Sequence, residues 1–102
     1  MTAIILILFL SLSLGDLIQP ENGVNLNYTH VLFEWLQEEN AISYELQLDY
    51  TDAFSSPLII VNESLIHIEK YFLNWETDYF WRVRPEFPDN STGSWSETYN
   101  FS

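Results

Sequence analysis

Apolar and polar residues alternate along most of this chain with a period of two, the spacing of half-buried β-strands. The clearest run is residues 43–50, where Tyr44, Leu46, Leu48 and Tyr50 share one face and Glu45, Gln47 and Asp49 the other. Before it, Val31, Phe33 and Trp35 line one face of a strand, and residues 37–40 form a polar loop. Further upstream Pro20 fits only an edge strand, and Asn22-Gly23 marks a turn. Residues 58–61 are a short β-branched strand ended by Asn62-Glu63-Ser64. Leu65, Ile66 and Ile68 supply the next strand, with Phe72 and Leu73 leading on. Then Tyr79, Trp81 and Val83 point inward while Phe80, Arg82 and Arg84 point outward. Pro85 is expected to close that strand, because it has no N–H for further pairing. After a loop over residues 87–93, the last strand spans 94–101, with Trp95, Glu97, Tyr99 and Phe101 alternating with small polar residues.

About seven short strands separated by turn signals, with no convincing helix, predict an all-β, seven-stranded Greek-key β-sandwich. The most specific local signal is Leu73, Thr77 and Tyr79, the spacing of a tyrosine corner. In such a corner the Tyr79 hydroxyl bonds to backbone a few residues upstream and pins the loop that crosses between sheets. Trp35 and Trp81, with Leu73 and Tyr79, are therefore read as structural residues.

The start of the chain changes the domain picture. Residues 3–14 are uncharged and mostly apolar, too short for the roughly 20 residues of a membrane-spanning helix. Ser13 and Gly15 sit at the −3 and −1 positions of a cut before Asp16. Residues 1–15 are thus expected to be a signal peptide and 16–102 one domain, with no stable transmembrane segment. The 15 acidic and 3 basic residues give a net charge of −12, which argues against nucleic acid or an anionic membrane as partner. Zero cysteines in an exported domain exclude a disulfide framework. The 17% aromatic content must then supply the core.

The chain resembles the fibronectin type III family from about Ile18 to Phe101. Four features carry the likeness: Pro20 with Asn22-Gly23, Phe33-Glu34-Trp35, Tyr44-Glu45-Leu46-Gln47-Leu48, and the corner running from Leu73 through Val83. Trp75 stands where proline is frequent in the family, and the integrin-binding tripeptide Arg-Gly-Asp is absent. Ser94-Trp95-Ser96, with Arg82 and Arg84, is also similar to half of the cytokine-receptor variant of this sandwich, and implies a stack of guanidinium groups on the indole. The arginines are read as structural, partners of Trp95 and a partial offset to the acidic surface. A single acidic sandwich behind a signal peptide further resembles modules that precede larger exported enzymes, arylsulfotransferase-like ones among them.

Candidate chemistry is sparse. His30 and His67 lie in separate strands or strand edges without a nucleophile motif, and no ligand spacing signals zinc or calcium. No cofactor is expected. Sequons occur at Asn27, Asn62, Asn90 and Asn100; Asn62 and Asn90 fall in predicted loops and are the better acceptors. The aromatics Phe54, Trp75, Phe80, Phe87 and Trp95 exceed what one inner face requires, and Trp75, Phe87 and Trp95 are the candidates for binding a protein or glycan partner. The expected function is a secreted or cell-surface, non-catalytic binding or spacer module. The alternatives are an N-terminal accessory domain of a larger exported enzyme, packing against downstream domains of the same polypeptide, or a carbohydrate-binding module.

Overall fold

A computed structural model describes residues 17–64, 66–69 and 73–102. The expected signal peptide, Leu65 and Phe72 lie outside the described residues, as does the side chain of Ile68. Seven strands are present: β1 (Leu17–Gln19), β2 (Val31–Trp35), β3 (Ser43–Asp49), β4 (Ile59–Glu63), β5 (Ile66–Glu69), β6 (Tyr79–Glu86) and β7 (Tyr99–Phe101). They form two antiparallel sheets, ordered β1-β2-β5 and β4-β3-β6-β7. The architecture is the expected all-β sandwich.

The core lies between the sheets. Alternation places Val31, Phe33 and Trp35 of β2, Tyr44, Leu46 and Leu48 of β3, and Tyr79, Trp81 and Val83 of β6 inside, all fully buried. Phe33 meets Trp81 edge-on at 5.0 Å and Phe101 at 5.8 Å, while Trp35 packs on Tyr44 at 5.6 Å. Such ring pairs contribute roughly 0.5–1.5 kcal/mol each beyond the area they bury. The Trp35 and Trp81 indole N–H groups reach no acceptor among the described residues. Both side chains therefore stabilise through bulk and ring contacts.

The first strand divides between the sheets. β1 pairs with β2, then the Pro20–Gly23 turn carries Val24 into a parallel bridge with Phe101 of the other sheet. Gly23, at φ 79°, supplies the left-handed conformation this step requires and donates its N–H to Asn100 O at 2.7 Å.

Several elements depart from the alternation. β3 stops at Asp49, whose buried carboxylate accepts the Tyr50 N–H at 2.7 Å; Tyr50 lies just past the strand, half exposed, with its ring against the inward Tyr79. β4 runs on to Glu63, placing Asn62 in a strand opposite Glu45 rather than in a loop. β5 is turned over: His67 pairs with the inward Phe33 and Glu69 with the inward Val31, leaving Ile66 exposed. This inversion is tolerated because His67 Nε2 and Glu69 Oε1 bond each other at 3.0 Å, satisfying polar groups that would otherwise be costly to bury.

Pro85 does not close β6. It is buried inside the strand opposite Tyr44. Backbone groups of Val83, Pro85 and Phe87 face the β7 side, where Pro85 O accepts from Gly93 N and Phe87 N donates to Ser91 O. The missing N–H thus falls on the side lined by a loop and interrupts no bond to β3. The last strand is correspondingly short. Only Tyr99–Phe101 pair regularly with β6, while Ser96 bridges further along, its N–H bonded to Val83 O and its hydroxyl accepting the Val83 N–H.

Candidate functional site

The outer face of the four-stranded sheet carries a layered stack. Register places Arg84 opposite Glu45 and Arg82 opposite Gln47. Arg84 Nε and Nη2 both donate to Glu45 Oε1, at 2.9 and 2.7 Å, and Arg82 donates through the same two atoms to Gln47 Oε1 at 3.1 and 2.8 Å. Held flat in this way, the Arg82 guanidinium lies 4.2 Å from the Phe54 ring and 4.0 Å from the Trp95 ring, and that of Arg84 lies 4.5 Å from Trp95. Burial, and next the neighbouring Arg84, pull the Arg82 group below its ordinary pKa, with Glu45 opposing. It stays charged at any physiological pH.

Trp95 is therefore engaged by two arginines and half-buried, on the face opposite to Phe101. Phe54 was not foreseen as the second ring of this stack. It is buried, at φ 51° in the loop after β3, a position that strand periodicity does not address. The Arg82–Gln47 and Arg84–Glu45 pairs could have been found by aligning the outward faces of the two strands.

The corner forms as its spacing predicts. Tyr79 is buried, its ring stacked between Tyr50 at 5.6 Å and Phe101 at 5.4 Å, and its hydroxyl accepts the Asn74 N–H at 2.8 Å. Leu73 is buried beside it. The following turn holds Glu76 at φ 54° and ties the Thr77 hydroxyl to Trp75 O at 3.0 Å. Trp75 projects from this turn, 62% exposed.

Trp75, Phe87 and Trp95 are not brought together. Trp75 precedes the start of β6 and Phe87 follows its end, and the strand between them is roughly 25 Å long at about 3.3 Å per residue. Trp95 lies on the sheet face between them, and half-buried Phe87 packs near Gly93. The exposed aromatic that lines the same depression as Trp75 is instead Tyr28, 53% exposed. Tyr28 sits between strands, where no periodicity marks it.

The sequon asparagines differ in access. The Asn62 amide donates to Glu86 Oε1 at 2.7 Å, an oxygen that also accepts the Ser43 hydroxyl. Asn90 is exposed at a loop tip with φ 69°. Asn27 is exposed, and Asn100 lies in β7 with its N–H bonded to Asn22 Oδ1. His30 is exposed ahead of β2, and His67 also approaches Glu63 at 3.5 Å. Among the described residues no group of three or more His, Asp or Glu side chains is placed to hold a metal ion.

No protein-family model matches the sequence, and no curated protein matches it. Solved structures share the fold, two α-L-rhamnosidases among them. The α-L-rhamnosidase from Dictyoglumus thermophilum superposes with a TM-score of 0.65 at 18% identity, over 84% of this chain and 12% of that one. The Streptomyces avermitilis α-L-rhamnosidase complexed with L-rhamnose gives 0.61 at 16% identity, over 84% of this chain and 10% of that one. At such identities the likeness is one of fold. This chain spans only a small part of either enzyme's length.

Proposed function

We propose that this chain is a non-catalytic accessory module, a fibronectin type III-like sandwich within a larger exported glycan-processing enzyme. The observation that most supports this reading is the likeness to the two rhamnosidases, which covers most of this chain but only 12% and 10% of theirs. The geometry agrees with a supporting role. The space between the sheets is filled by aromatic and aliphatic packing, and the Arg–Trp stack stiffens the outer face of the four-stranded sheet. Export is supported by the apolar start over residues 3–14.

An antiserum raised against the sandwich tests this on material from the source organism. The expected result is a band far above the 12.0 kDa of this chain. A band at or just below 12.0 kDa, and none larger, would overturn the proposal and favour the free-standing binding or spacer module.

A further inference from the structure

Trp75 and Tyr28 stand over a single shallow depression of about 10 Å³, room for one water, so that a ligand here would lie across the two rings; its apolar floor is made by the buried Leu73, Tyr79 and Phe101. Asn74, Glu76 and Thr29 add hydrogen-bonding groups around the two rings. Both walls are fixed. On one side the Tyr79 hydroxyl holds Asn74 and the Thr77 hydroxyl holds the Trp75 carbonyl. On the other, Leu26 N donates to Ser102 O at 2.6 Å and Ser102 N to Val24 O at 3.0 Å. Trp75, on this braced turn, loses little backbone freedom when a ligand arrives. Tyr28 and Leu26 also line a second cleft of about 220 Å³ bounded by Pro20 and Glu21, so one aromatic ring borders two adjoining depressions.

We propose that Trp75 and Tyr28 form a binding site for a neutral saccharide. The C–H face of a sugar ring lies against the indole and phenol, and its hydroxyls bond to Asn74, Thr29 and Glu76. Charge selects the ligand class. The molecule carries −12, Glu76 borders the first cleft and Glu21 the second, so uronic or sulfated sugars are repelled. The polar groups around the rings also favour a hydroxylated ligand over a protein, whose interface would need roughly 800 Å² of complementary surface on each side. The site rests on the proposed role in a glycan-processing enzyme, where it would hold the polymer near the catalytic part.

The test is tryptophan fluorescence and calorimetry on the purified chain with cellohexaose, xylohexaose, mannohexaose and L-rhamnose, and with trigalacturonate as the anionic arm. At least one neutral sugar is expected to bind and to shift the tryptophan emission, with trigalacturonate at least tenfold weaker. Trp75→Ala and Tyr28→Ala should each weaken that binding tenfold or more while leaving the circular dichroism melt unchanged, since both rings are exposed. Ile60→Ala, on exposed β4, should leave binding intact. The proposal is overturned by no binding to any neutral sugar, by a preference for trigalacturonate, or by undiminished binding in Trp75→Ala. It is likewise overturned if Trp75→Ala alters only self-association in sedimentation, which would make the cleft a protein interface. None of these outcomes bears on the size of the native polypeptide, so failure here is separable from failure of the module reading.

Discussion

Tyr79 joins core and loop in one side chain, its ring packed between Tyr50 and Phe101 and its hydroxyl accepting the Asn74 N–H. Tyr79→Phe keeps the ring and strands the amide, so a loss of about 1–2 kcal/mol is expected in urea unfolding. A loss below about 0.3 kcal/mol would mean that the corner bond is dispensable. Asp89 makes a pH-dependent contribution in the loop after β6. Its carboxylate accepts first the Ser91 hydroxyl and then the Ser91 N–H, which hold its pKa below the ordinary aspartate value. A carboxylate depressed in the folded state stabilises at pH above its unfolded pKa, and that contribution fades as pH falls through the folded value. Carbon-detected NMR should therefore find the Asp89 midpoint below that of an unstructured aspartate, and Ser91→Ala should raise it. An unchanged midpoint in Ser91→Ala would contradict the assignment.

Among the elements, β2, β3 and β6 were legible because each buries one face of a strict alternation, so polarity reports orientation directly. β5 was not, because its inward positions are His67 and Glu69, a mutually bonded pair that polarity alone assigns to solvent. β7 was overextended because Ser96 replaces a regular ladder with its own hydroxyl, which leaves the alternation of Trp95 and Phe101 without structural meaning. The Arg–Trp stack was readable from the outward register of β6, whereas the Trp75–Tyr28 cleft joins two non-periodic segments distant in sequence. Trp95→Ala removes a ring shared by two guanidinium groups and should cost about 1–3 kcal/mol in denaturant unfolding. A cost under about 0.5 kcal/mol would reduce the stack to a surface ornament. Gly93 approaches β6 so closely that a Cβ there would lie 2.6 Å from Pro85 Cγ. Gly93→Ala should destabilise by about 1–3 kcal/mol through overpacking, and a neutral result would show that the loop moves freely off the strand.

At the scale of the whole molecule, 15 carboxylates face 3 basic side chains, of which Arg82 and Arg84 are tied into the stack. Net repulsion opposes compaction, so raising sodium chloride from about 20 to 500 mM should raise the melting temperature as the Debye length shortens. A falling melting temperature would mean that local ion pairs such as Arg84–Glu45 outweigh the overall repulsion. The sandwich has an aromatic core, a braced outer face and a fixed corner, in keeping with the proposed accessory role. Immunocapture from the source organism with antibodies to the sandwich, followed by assay of the captured material on a panel of nitrophenyl glycosides that includes the α-L-rhamnoside, tests that role most directly. The account predicts glycosidase activity eluting with a polypeptide much larger than 12.0 kDa. Capture of a species of 12.0 kDa or less that carries no such activity would contradict it.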